Sequence, residues 1–222
     1  MKRNIHDFYF KEAKRLGYIA RSAFKLQEIQ QRHRVVQKGG SVLDLGCSPG
    51  AWLQIACRAL GPRGGNVLGL DLKPTPLPIR HCDHRVHTIQ QDATELDFYD
   101  FSKLHPPLFT TVLSDMCPDT SGSARLDVSA SLELAQTALG IAVGDVNGTV
   151  DEAFEQGGQR KGVLRQGGNF VVKILEGSGS REFGELCKGT FTKVVWMRPK
   201  ATREESREVY LIGLRLRKQV VP

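Results

Sequence analysis

Seven short runs rich in Val and Leu alternate along the chain with helix-like stretches, and this alternation restricts the fold more than any other feature. Strands are expected at Ser41–Leu45, Asn66–Asp71, Val86–Gln90, Phe109–Ser114, Asn169–Leu175, Lys193–Trp196 and Glu208–Leu214. Helical patterns lie at Arg21–Gln31, Ala51–Ala59, Ser129–Val143 and Ser180–Cys187. In the third of these, Leu132, Ala135, Leu139 and Val143 make one apolar stripe. Strands separated by helices imply an α/β fold, with a mostly parallel sheet covered on both faces. Only a short polar loop separates the last two runs, so the last strand is expected to be antiparallel. A chain of 222 residues suits one domain spanning 1–222. One stretch is out of character: Gly144–Gly168 holds seven glycines, and its first two thirds read as a flexible insertion.

The strongest local signal is VLDLGCSPGAWLQIA, residues 42–56. An apolar strand carries Asp44 near its end, turns through Gly46, Pro49 and Gly50, and enters a helix. Glycines at such a turn let a ligand come close to the backbone. The pattern is not G-x-G-x-x-G, and Pro49 lies inside the loop, so a pyrophosphate is a poor match. A ligand without phosphates, such as S-adenosylmethionine, needs close approach but no anion cradle. Asp71 ends the second strand, where an acid can accept bonds from ribose hydroxyls; the alternative is a loop or capping carboxylate. Asp92 follows the third strand and could meet an adenine amino group or cap a helix. Acids near the carboxyl ends of successive strands converge on one crevice.

The fourth strand ends in LSDMCPDTSG, which brings Asp115 to the same crevice. The fifth carries Lys173 in an apolar run. Alternation sets Phe170 and Val172 on one face, with Val171 and Lys173 on the other. A lysine in a sheet centre is costly unless paired or deprotonated, or unless it snorkels from the strand end.

RSAFKLQEI (21–29), VLDLGCSPGAW (42–52), LSDMCPD (113–119), FVVKILEG (170–177) and SREVYLI (206–212) occur in that order. Together they resemble the FtsJ/RrmJ family of ribose 2′-O-methyltransferases, RlmE-like and including its mitochondrial branch. The resemblance covers nearly the whole chain apart from 144–168. It implies a Rossmann-like, seven-stranded methyltransferase fold that uses S-adenosyl-L-methionine. It also implies a Lys-Asp-Lys-Glu tetrad of Lys25, Asp115, Lys173 and Glu208. Cofactor contacts would fall on Gly46, Pro49, Gly50, Trp52, Asp71, Asp92 and Asp115. The implied substrate is ribosomal RNA, within the large subunit or its precursor. Wider relatives act on tRNA or mRNA caps, and an assembly factor with incidental methylation is a further alternative. The compact chain favours the ribosomal branch and a monomer.

The chemistry agrees with that carry-over. Methyl transfer from a sulfonium needs positioning and a better oxygen nucleophile. Lys173 could act as general base or as the group orienting the hydroxyl. Burial would lower its pKa and Asp115 would raise it. Cys117 stands where many relatives carry Ala and reads as a small buried thiol.

The net charge of +7 sits at the chain ends. Residues 1–38 hold ten Lys/Arg against three Asp/Glu, residues 188–222 nine against three, and the middle twelve against eighteen. Basic ends suit a polyanion, and 1–38 reads as an RNA-binding segment. Phe8, Tyr9, Phe10 and Tyr18 lie among Lys11, Lys14, Arg15 and Arg21; they could stack on RNA or pack an N-terminal helix on the domain. Arg198, Lys200, Arg203 and Arg207 are placed to meet phosphates near Glu208. His81, Cys82, His84 and His87 cluster, but strand spacing would point them apart, so no metal is expected. Five cysteines without a C-x-x-C pair suggest a reducing compartment. No apolar run reads as a membrane span, and the charged N-terminus does not suit a secretory signal. The compartment stays open between mitochondrion, another organelle and cytoplasm.

Overall fold

The computed structural model describes residues 5–96, 108–144 and 162–218. Two helices come first, α1 (Ile5–Leu16) and α2 (Ala23–His33). Then follow β1 (Ser41–Leu45), α3 (Ala51–Leu60), β2 (Asn66–Asp71), β3 (Val86–Gln90) and β4 (Phe109–Ser114). The remainder is α4 (Ala124–Val143), β5 (Leu164–Leu175), α5 (Ser180–Thr190), β6 (Phe191–Met197) and β7 (Glu208–Leu216). The strands form one sheet in the order β3-β2-β1-β4-β5-β7-β6. The first five of these neighbours are parallel, and β7 runs antiparallel between β5 and β6.

Strand alternation divides the core. Leu43, Leu45, Phe170, Val172 and Ile174 face the cluster that includes residues of α4 and α5. Val42, Leu113, Val171, Tyr210 and Ile212 face the cluster under α2 and α3. β1 lies between β2 and β4, so the chain leaves β1 for one side and returns on the other. In doubly wound sheets ligands bind at such a switch point, here at the carboxyl ends of β1 and β4.

Two elements differ most from the sequence reading. β5 begins at Leu164, five residues before Asn169, so the end of the presumed insertion is strand. Leu164 pairs with Phe109, and a register irregularity precedes the Thr111–Asn169 pair. The rest of the insertion, 145–161, lies outside the described residues. α4 begins at Ala124, because Asp127 in its first turn accepts bonds from the Ser121 N–H and hydroxyl. At 20 residues α4 is long and apolar enough to cross a membrane by composition. Here Ala135, Leu139 and Val143 are buried against the sheet instead.

Candidate active site

The turn after β1 is built around two glycines that cannot be other residues. Gly46 has φ 73°, and a Cβ there would lie 2.9 Å from the Met116 backbone. Gly50 has φ 105°, and a Cβ would meet Pro78 at 2.8 Å. Between them the Ser48–Pro49 bond is cis. Asp71 braces the turn: one carboxylate oxygen accepts from the Ser48 N–H and the other from the Lys73 N–H, both at 2.9 Å. Asp92 caps a short 3-10 turn through Oδ1, accepting from the Thr94 N–H (2.8 Å) and hydroxyl (2.7 Å). Those bonds hold its pKa below the usual carboxylate value and leave Oδ2 outside the cap. Both Asp71 and Asp92 are therefore structural carboxylates first, with lone pairs left over for a ligand.

The four tetrad residues meet at the same edge. Lys25, on α2, donates to Glu208 at the start of β7 at 2.5 Å. Lys173, on β5, donates to the Asp115 backbone carbonyl at 2.5 Å and lies 3.2 Å from its Oδ1. Tyr210 sits directly across from Lys173 in the β5–β7 ladder. Its phenol donates to Asp115 Oδ1 at 2.9 Å, and its ring lies 5.9 Å from Lys25 Nζ. Tyr210 thus joins the two ion pairs into one group.

A match to the FtsJ-like methyltransferase model runs over residues 18–216. The chain belongs to the FtsJ-like methyltransferase family. It is 37% identical to the ribosomal RNA large subunit methyltransferase E of Desulfosudis oleivorans, over 95% of this chain and 91% of that one. Its identity to the enzyme of the same name from Syntrophobacter fumaroxidans is also 37%, over 98% and 100%. With the Myxococcus xanthus enzyme of that name it is 39%, over 97% and 92%. The fold also matches the crystal structure of a ribosomal RNA methyltransferase from Plasmodium falciparum, with a TM-score of 0.70 at 23% identity. That structure aligns over 90% of this chain and 98% of its own.

In this FtsJ-like enzyme the contest over Lys173 is resolved. Burial opposes its ammonium, but Asp115, with Cys117 and Glu208, outweighs that and raises the pKa above the ordinary lysine value. Lys173 is therefore held in its ammonium form. Tyr210, fully buried beside the same carboxylates, has a pKa well above that of a free phenol and stays a donor.

Trp52 is 2% exposed; its indole N–H donates to the Ser22 carbonyl at 3.0 Å, and its ring leans on Tyr210. Its side chain ties α3 to the start of α2, and what it can offer a ligand is a backbone N–H in the first turn of α3.

Other expectations change. Cys117 is exposed, because it follows β4 in the loop at the open edge of the sheet, where no element covers it. Arg198 is exposed but is tied down through one guanidinium nitrogen. It donates to the Arg203 and Glu204 carbonyls at 3.0 and 3.1 Å, and also to the Ser206 carbonyl. It holds the β6–β7 loop in shape, while Lys200, Arg203 and Arg207 stay exposed. His81 donates through Nε2 to the Leu16 carbonyl (2.8 Å) and packs on Tyr18. Among the described residues no three His, Cys, Asp or Glu side chains gather as metal ligands. At the N-terminus the aromatic residues divide between packed and exposed. Tyr9 packs on Phe24, whereas Phe8 and Phe10 are 58% and 61% exposed.

Two site residues escaped the sequence reading. The signal for Tyr210 was alternation in EVYLI, which puts it on the same face as Glu208. Gln54 is the other. It accepts from the Ile19 N–H (2.9 Å) and donates to the Gly17 (3.0 Å) and Arg80 (2.8 Å) carbonyls. One buried amide so fastens the N-terminal segment and the loop over Gly50 to α3.

Proposed function

We propose that this enzyme transfers a methyl group from S-adenosyl-L-methionine to a ribose 2′-hydroxyl of large-subunit ribosomal RNA. The observation that carries this reading is the cluster of Lys173, Asp115 and Tyr210 beside Lys25 and Glu208, at the edge where the Gly46–Gly50 turn opens. The turn suits a donor without phosphates. It offers close backbone approach and carboxylates nearby, which fit a cationic ligand better than an anionic one. Gly46, Pro49, Gly50 and the Trp52 backbone would hold the donor, with Asp71, Asp92 and Asp115 accepting from its polar groups. Bound there, the donor supplies an electrophilic methyl group on a sulfonium.

The chain supplies position. Lys173 in its ammonium form would donate to the hydroxyl oxygen and turn a lone pair toward the methyl group, with the hydroxyl proton leaving to solvent as the oxygen is alkylated, while Asp115 and Tyr210 fix its direction. A general base would first have to lose that proton, so the resting protonation supports the orienting role. Lys25 and Glu208 border the place of the incoming ribose. The basic segment 1–38 and the exposed Lys200, Arg203 and Arg207 would contact RNA phosphates, with the protein acting as a monomer. Homologous large-subunit enzymes support the choice of substrate.

The experiment is methyl incorporation from labelled donor into naked ribosomal RNA, isolated large subunits, tRNA and capped mRNA, followed by nucleoside analysis. A 2′-O-methylated nucleoside from large-subunit RNA is expected. A base-methylated product, or incorporation only into tRNA or caps, refutes the assignment.

A further inference from the structure

Asp44 is the anomaly of this fold. It lies in the middle of the sheet on β1 with 0% exposure, and neither carboxylate oxygen has a hydrogen-bond partner. A buried carboxyl left unpaired is costly, and an apolar residue would fill the place at no such cost. Strand register says what surrounds it. Asp44 pairs with Gly69 of β2 and Leu113 of β4. Two residues on, those strands carry Asp71 and Asp115 on the same face, one pleat nearer the crevice. Gly69 brings no side chain, and the space beside it is taken by Cys47 of the donor turn and Leu53 of α3. Asp44 therefore lies under the turn as the deepest of three carboxylates.

Resting on the donor assignment above, we infer that Asp44 is a proton-exchanging counter-charge beneath the donor site, protonated in the empty protein and ionised when the cationic donor binds. The charges around it support this. Asp71 faces it from β2, Asp115 from the end of β4, and Cys47, a neutral thiol, from the turn. Behind Asp115 stand Lys173 on β5 and the neutral phenol of Tyr210 on β7. Lys25 of α2 is held by Glu208, and Arg58, the charged residue of α3, is held by the Tyr18 hydroxyl at the helix's far end. Burial first, then the Asp115 and Asp71 charges, keep the Asp44 carboxyl in its neutral form. The donor's sulfonium and ammonium, set against its own carboxylate, bring a net positive charge to this edge and reverse that balance. The carboxyl O–H bond breaks, the electron pair stays on Asp44, and the proton leaves to the buffer. S-adenosylhomocysteine lacks the sulfonium charge and provides a smaller reversal.

The test is calorimetric titration of the full chain with S-adenosylmethionine, then S-adenosylhomocysteine, near neutral pH in buffers of differing ionisation enthalpy. The expected result is a measurable fraction of a proton released per S-adenosylmethionine bound, and less for S-adenosylhomocysteine. Asp44→Asn should bind with no release, and Lys173→Met should keep it. Should Asp44→Asn not fold, wild type alone decides: S-adenosylmethionine affinity must rise with pH more steeply than S-adenosylhomocysteine affinity. Buffer-independent heat in wild type overturns the inference. So does release that survives Asp44→Asn but vanishes in Lys173→Met, which would make the lysine its source. If neither ligand gives binding heat or raises Tm, it is the donor assignment that falls, and the inference with it.

Discussion

Replacing Tyr210 by Phe removes one oxygen atom and keeps the ring. The packing against Trp52 and beneath Lys25 survives, so the change isolates the bond from the phenol to Asp115 Oδ1. A hydrogen bond to a charged acceptor is worth about 1.5–3 kcal/mol net. Some of that returns because the buried phenol no longer has to be desolvated, which leaves a loss of roughly 1–2 kcal/mol. For a chain of this size each kcal/mol moves Tm by about 2–4 °C, so a drop of roughly 2–8 °C is expected. The same bond aims Asp115, and through it Lys173. Misplacement worth about 1.4 kcal/mol in the transition state lowers kcat tenfold. The assays are a calorimetric melt and methyl incorporation at saturating donor, with the donor Kd measured alongside. Tyr210 is a positioning residue on this reasoning, so kcat should fall while the donor Kd changes little. A Tyr210→Phe enzyme with wild-type Tm and kcat would refute it.

Gly46→Ala should abolish donor binding and destabilise the fold, since its Cβ meets Met116 backbone that cannot move aside at a positive φ; equilibrium dialysis with labelled donor reads this. Gln54→Ala loses three hydrogen bonds and strands their partners, so denaturant melts should show a loss of about 2–4 kcal/mol. Asp44 has a folded pKa above its unfolded one, so its favourable contribution is complete at acid pH and is lost as pH rises. Asp44→Asn should therefore gain stability over wild type as pH climbs from about 4 to neutrality, and a difference independent of pH in thermal melts would contradict this. The raised pKa of Lys173 contributes stability that is present below the ordinary lysine value of about 10.4 and lost above it. Wild type should thus lose Tm more steeply than Lys173→Met in alkaline melts.

The strands that the sequence declares best are those whose apolar runs are unbroken. β1 to β4 fall on the expected residues; in β1, β2 and β4 the apolar residues serve a sheet buried on both faces, while β3, at the edge, is only partly covered. β5 reads short because Arg165–Gly168 is polar and glycine-rich, and is strand only by virtue of its neighbour β4. Nothing in the composition of β7 says that it slips between β5 and β6; that order is a property of the assembled sheet. Asp115 and Lys173 were legible because an acid and a lysine at the ends of apolar strands are conspicuous, whereas Lys25 and Glu208 stood out only through the family resemblance. Tyr210 was not, since a tyrosine in a strand reads as ordinary core, and Gln54 was not, since a glutamine on a helix reads as solvated. Cys117 misled because a small thiol is usually covered, and only the loop's position at the sheet edge leaves it bare.

The placement of β7 between β5 and β6 also has a consequence for how the enzyme comes into being. Lys25 is synthesised early and its partner Glu208 is 183 positions further along. At synthesis speeds of 5–20 residues per second, roughly ten to forty seconds separate them. During that interval Lys25 has no carboxylate from β7, Asp115 has no phenol, and β6 has no strand to pair with. The cluster around Asp115 is thus completed late, only once β7 has joined the sheet between β5 and β6.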